Sequence, residues 1–159
     1  MEFWELTAQP WQLCETVAEL EQCNTVSARW GLTLSREQME RLARQRFEAL
    51  RNTGRVEFGE GILGKLIRAF CDAPELQQSE YEETLSKLQA LFYYYKNECA
   101  DTLSDDDLIT ALRLIYSERA HGSLDFFADI DRRTLYRIAK TGCLAGTELA
   151  GERAVWDEA

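Results

Sequence analysis

Leu34-Ser35-Arg36-Glu37-Gln38-Met39-Glu40-Arg41-Leu42-Ala43-Arg44-Gln45-Arg46-Phe47-Glu48-Ala49-Leu50 opens with a helix start signal and continues as an apolar stripe. Ser35 with Gln38 three residues on has the spacing of a capping box, in which each side chain satisfies the other's orphan backbone N–H. Leu34 before the cap and Met39 inside it supply a hydrophobic staple. Met39, Leu42, Ala43, Phe47 and Leu50 then recur at helical spacing on one face. Asn52-Thr53-Gly54 ends the run. The reading is an amphipathic helix.

The same signals recur on either side of this run. Pro10 fits a first helical turn, and the chain reads helical from Trp11 to Arg29, with Leu13, Val17, Leu20 and Asn24 in one row and Gly31 as its stop. Arg55-Val56-Glu57-Phe58 alternates polar and apolar, enough for one very short extended segment near 55–58; the Thr33 region is the other strand candidate. Ile62, Leu63, Leu66, Ile67 and Phe70 predict a short buried helix, and Cys71 to Ser79 a helix-to-helix connection. Ser79 with Glu82 has capping-box spacing, and Tyr81, Leu85, Leu88, Phe92, Tyr95 and Cys99 form the next stripe. Ser104 before Asp105-Asp106-Asp107 is an N-cap with carboxylates where the helix dipole favours them. Ser123 to Ala128 fits one short helical turn, and Asp131 caps a last helix that Gly142 stops. The expected fold is all-α: a single-domain bundle of five to seven helices over 1–142, followed by a loosely held tail over 143–159 in which Trp156 is a candidate to dock.

Composition agrees with one soluble domain. The chain has 159 residues, 45% of them apolar, and 9 glycines and 2 prolines are too few for a turn-rich sandwich. A net charge of -10 disfavours nucleic acid and anionic membranes as partners. The N-terminus MEFWELTAQP has neither the basic nor the apolar region of a secretory signal. Five cysteines without a C-x-x-C pair read as free thiols in a reducing cytoplasm. No cofactor and no metal site is expected.

Several patterns invite a sharper reading. Gly59-Glu60-Gly61-Ile62-Leu63-Gly64-Lys65 satisfies both G-x-G-x-x-G and G-x-x-x-x-G-K, which suit phosphate at a helix N-terminus. However, Leu66 stands where a magnesium-binding hydroxyl belongs, and Glu60 would repel the phosphate. His121 before Gly122 suits a helix C-terminus. Asp105, Asp106 and Asp107 fan out too widely on a helix to converge on one ion. Trp30 to Arg51 has the outline of a helix-turn-helix, but Glu37/Arg41, Glu40/Arg44 and Arg44/Glu48 describe a solvated face with internal pairing. The stretch from Asp72 to Asp107 carries ten acids against two lysines, an acidic partner for the arginine helix within or between subunits.

Leu32-Thr33-Leu34-Ser35, Arg46-Phe47-Glu48-Ala49-Leu50, Thr53 through Gly59, Phe70-Cys71-Asp72, Leu91 through Glu98 and Leu103 through Leu108 occur in that order. Together they resemble a family of small bacterial proteins catalogued as a domain of unknown function, number 6323. The resemblance covers roughly residues 20 to 128. It implies a bacterial cytoplasmic setting and carries over no catalytic residue.

The functional expectation is a non-catalytic protein-interaction module whose partner is another protein or a second copy. Leu91-Phe92-Tyr93-Tyr94-Tyr95 is apolar or aromatic in every direction, which a helix wet on one side does not need. Counted from Tyr95, Tyr93 is expected to turn well away from the core stripe and Tyr94 to lie on its flank, making both interaction candidates. The alternative is a small enzyme or ligand-binding protein with a site assembled from Arg55, Glu57, Asp72 and Glu98. Phosphate binding at 59–65 and DNA binding rank below it.

Overall fold

The computed structural model describes residues 10–57, 61–99 and 102–144. Among the described residues six α-helices run in chain order: α1 (Pro10–Ser27), α2 (Arg36–Thr53), α3 (Ile62–Phe70), α4 (Tyr81–Glu98), α5 (Asp105–Glu118) and α6 (Arg132–Thr141). Short 3-10 turns cover Ala28–Trp30, Gln78–Glu80 and Leu124–Asp129. No strand occurs among the described residues, so the fold is all-α. Arg55 to Glu57 is irregular; Phe58, and the tail beyond Leu144 with Trp156, lie outside the described residues.

The chain divides into two compact units, Met1–Tyr94 and Tyr95–Ala159, the boundary falling inside α4. In the first unit α1 packs against α2 and α3. Both halves of the expected capping box form: the Ser35 hydroxyl accepts from the Gln38 N–H, and the Gln38 side chain accepts from the Ser35 N–H. Gly54 closes α2 at φ 66, a left-handed conformation that costs glycine little. α3 has only nine residues and no side-chain cap, yet Ile62, Leu63, Gly64, Leu66, Ile67 and Phe70 are all buried. Packing, rather than helix propensity, sustains so short a helix.

In the second unit α5 packs on α6. Ser104 caps α5 by accepting from the Asp107 N–H, and Asp131 caps α6 by accepting from the Thr134 N–H, as the sequence predicts. Buried Lys96 donates to the Leu103 carbonyl and pairs with Asp105 at 2.8 Å, fixing the turn before α5. The Tyr95 hydroxyl donates to the Ile130 carbonyl at 2.7 Å, with the Phe127 carbonyl 3.1 Å away.

Four local expectations need correction. The Ser79/Glu82 box does not cap α4: Ser79 lies inside a 3-10 turn, and Glu82 instead receives Arg41 bidentately at 2.7 and 2.9 Å. His121 lies beyond the end of α5, in a left-handed turn at φ 49. The arginines of α2 do not follow the expected spacing: Arg36 pairs with Glu40 and Glu21, Arg41 reaches into the acidic stretch at Glu82, and Arg46 is buried. Lastly, Tyr93 does not turn to the surface. It is 2% exposed, whereas Tyr94 is 56% exposed. With partners on several sides, a helix buries more than one stripe, and Phe92, Tyr93 and Tyr95 are all covered.

Candidate functional site

The first unit holds a buried polar cluster beside the start of α3. Arg46 projects from α2 with 5% exposure and donates to the Thr16 hydroxyl at 2.8 Å and to Glu57 at 3.2 Å. Its guanidinium lies so close to Gly61 that a Cβ there would stand 2.5 Å from Arg46 Cζ. The Gly61 N–H donates to Glu19 at 3.4 Å. A protein carboxylate therefore occupies the helix N-terminus that the glycine pattern offers to phosphate; Gly59 and Glu60 themselves lie outside the described residues. The Tyr93 hydroxyl lies within electrostatic reach of Glu57 and Arg46, at a geometry short of a hydrogen bond. Burial first, and the Glu57 charge second, push its phenol well above the ordinary tyrosine value.

The second unit holds a cleft of about 330 Å³ lined by Glu98 and Cys99 at the end of α4 and by Arg132, Arg133 and Tyr136 of α6. α6 starts with Arg132 and Arg133 because Asp131 caps it there, which places Tyr136 one turn further along the same ridge. The helix also carries Arg137 and Lys140 and no acidic residue, in a chain of net charge -10. Arg132 and Arg133 make no ion pair among the described residues. Tyr136 is 40% exposed, and the Lys140 ammonium stands 5.5 Å from its ring centroid. Burial raises the Cys99 thiol above its ordinary pKa, Arg132 offsetting only part of the effect, so Cys99 is a neutral wall of the cleft at pH 7. A smaller cleft of about 210 Å³ in the first unit is lined by Leu13, Cys14, Val17, Arg36, Glu40 and Arg44.

The sequence candidates divide between these places. Glu57 joins the Arg46 cluster, and Glu98 lines the second unit's cleft. Asp72 is exposed just after α3, and Arg55 is half-buried after α2. Tyr94 remains an exposed aromatic; Tyr93 serves the interior. Sequence reasoning missed Arg132, Arg133 and Tyr136. The signal available was charge sign alone, a helix of cations without acids near the end of an acidic chain.

A family model described as a family of unknown function, DUF6323, matches residues 19–143. The chain belongs to this family. The DUF6323 match spans α2 to α6 and so includes the α6 cleft and, apart from Thr16, the Arg46 cluster. No curated protein and no solved structure matches the chain. Among the described residues, no helix is long and apolar enough to cross a membrane.

Proposed function

We propose that this protein is a non-catalytic protein-interaction module of the bacterial cytoplasm, and that it engages its partner through the α6 cleft. The observation that carries the reading is the pair Arg132 and Arg133, which make no ion pair among the described residues, beside the half-open ring of Tyr136. Arginine and tyrosine are enriched where proteins meet, because each offers a rigid surface together with polar atoms. A solvated role for the arginines alone would not need an exposed aromatic beside them. The thiol in the cleft is held neutral, which suits a binding wall better than a nucleophile.

The ligand-binding alternative has one observation in its favour, the buried Tyr93 hydroxyl without a hydrogen-bond partner beside Arg46. Glu57 pairs with that guanidinium and Glu19 accepts from the Gly61 N–H beside it, and two carboxylates at one place weigh against an anionic ligand.

Replacing Tyr136 with a photoreactive benzoylphenylalanine in the native host tests the proposal. A single cross-linked polypeptide at position 136, absent when the probe stands at Trp30, is the expected result. No adduct, or the same ladder from both positions, contradicts it.

A further inference from the structure

The α6 cleft selects by charge and size, and these two properties define a kind of partner. Arg132 and Arg133 are the first two residues of a helix, where the dipole adds positive potential to two guanidiniums. The Asp131 cap carboxylate beside them is held electrostatically by both, but neither closes an ion pair among the described residues, although the chain carries 28 acidic residues against 18 basic ones. An arginine pair that makes no ion pair among the described residues is a strong local contrast on an acidic protein, and planar guanidiniums recognise carboxylates bidentately. The opening of about 330 Å³ is at the lower end of small-molecule pockets, room for a few side chains but not for a folded surface. Tyr136 adds an apolar ring at the same place, 40% exposed.

Overall charge turns the choice from phosphate polymers to a peptide. The net charge of -10 repels a long polyanion from the molecule as a whole, whereas a short acidic segment meets only the local field, in which Glu98 on one wall opposes Arg132 and Arg133. We infer that the cleft binds a short acidic peptide segment of a partner protein, its carboxylates on Arg132 and Arg133 and an apolar side chain on the ring of Tyr136. This inference rests on the reading of the protein as an interaction module and adds the chemistry of the partner.

The test is fluorescence anisotropy of the full chain with a labelled heptapeptide of six glutamates around a central leucine. Saturable binding is expected, weakened on the order of tenfold by Arg132→Glu with Arg133→Glu and by raised salt. Glutamates at the start of a helix are favoured by its dipole, so this variant should keep its helicity. Tyr136→Ser should weaken binding severalfold, and Arg29→Glu with Arg51→Glu, the same charge change elsewhere, should matter little. The inference is overturned if the peptide does not bind, if the Arg29/Arg51 variant loses as much, or if an octathymidylate binds equally well. A wild-type dimer in sedimentation that the Arg132/Arg133 variant dissolves would also overturn it, assigning the cleft to a second copy. Failure of the peptide beside a successful cross-link at position 136 removes only the acidic-segment inference; failure of both removes the interaction reading as well.

Discussion

The side-chain amide of Asn24 holds both backbone polar groups of Leu34: the Leu34 N–H donates to Oδ1 and Nδ2 donates to the Leu34 carbonyl, each at 2.9 Å. One residue earlier, the Gln78 amide closes the same pair of bonds on Thr33, at 2.8 and 2.9 Å. The segment leading into α2 thus has its hydrogen bonds supplied by side chains, where a sheet would use a neighbouring strand. Asn24→Leu keeps the side chain's bulk and removes both bonds, leaving part-buried backbone groups without partners. It should cost about 1–3 kcal/mol in urea unfolding. Asn24→Asp, which keeps the acceptor and loses the donor, should fall between it and wild type.

That pair also marks where sequence reading stops. The Ser35/Gln38 box, the Asp131 cap and the Gly54 stop were legible because each is settled within a few residues of chain. Asn24 sits in an apolar row and looks like a flaw in a helix stripe; its partner ten residues on explains it. Arg46 sits among four other arginines of α2, and periodicity cannot distinguish the one that folds inward onto Thr16 and Glu57. Tyr93 was misplaced for the same reason: angle on a helix gives direction, but not how many neighbours surround it. The α6 cleft joins residues 98–99 to 132–136, a juxtaposition that only tertiary packing creates.

Tyr93 makes a pH prediction. Its native phenol is held well above the ordinary value by burial, while the unfolded chain ionises near about pH 10. The folded state then binds more protons than the unfolded state, so this contribution is complete below about pH 10 and is lost as pH rises further. Tyr81, pushed up to about 12 by burial, adds to the same alkaline decline. Tyr93→Phe should flatten the decline and change stability at pH 7 by no more than about 1 kcal/mol, because the lost hydroxyl has no partner. Tyr93→Ala should cost about 3 kcal/mol or more. Thermal melts across pH 7–11 distinguish these outcomes.

Asp131 has the opposite sign. Hydrogen bonds from Thr134 depress its carboxyl pKa, so its cap is present above the unfolded carboxylate value and is lost as pH falls through the native one. Asp131→Ala should cost about 1 kcal/mol at pH 7, and the difference from wild type should shrink below about pH 4. Asp131→Asn, which keeps an acceptor without the charge, should recover most of the loss and remove its pH dependence.

The contact between Arg46 and Gly61 predicts coupling. Gly61 has an extended backbone that alanine can adopt, so the obstacle to Gly61→Ala is the pinned guanidinium 2.5 Å from the new Cβ. The substitution should cost about 1–3 kcal/mol. In the background of Arg46→Met, which withdraws the guanidinium, the same change should cost less, giving an interaction energy clearly different from zero in a double-mutant cycle. Additive losses would mean that the arginine moves aside freely.

The α6 cleft is proposed as the surface by which this protein meets its partner. Its most direct test is calorimetric titration of the polypeptide cross-linked at position 136 against wild type, Arg132→Glu/Arg133→Glu and Arg29→Glu/Arg51→Glu, with Tm measured for each. Affinity should be at least about tenfold lower for the Arg132/Arg133 variant alone, with a cooperative melt showing that it remains folded. Undiminished binding by a folded Arg132/Arg133 variant would contradict it.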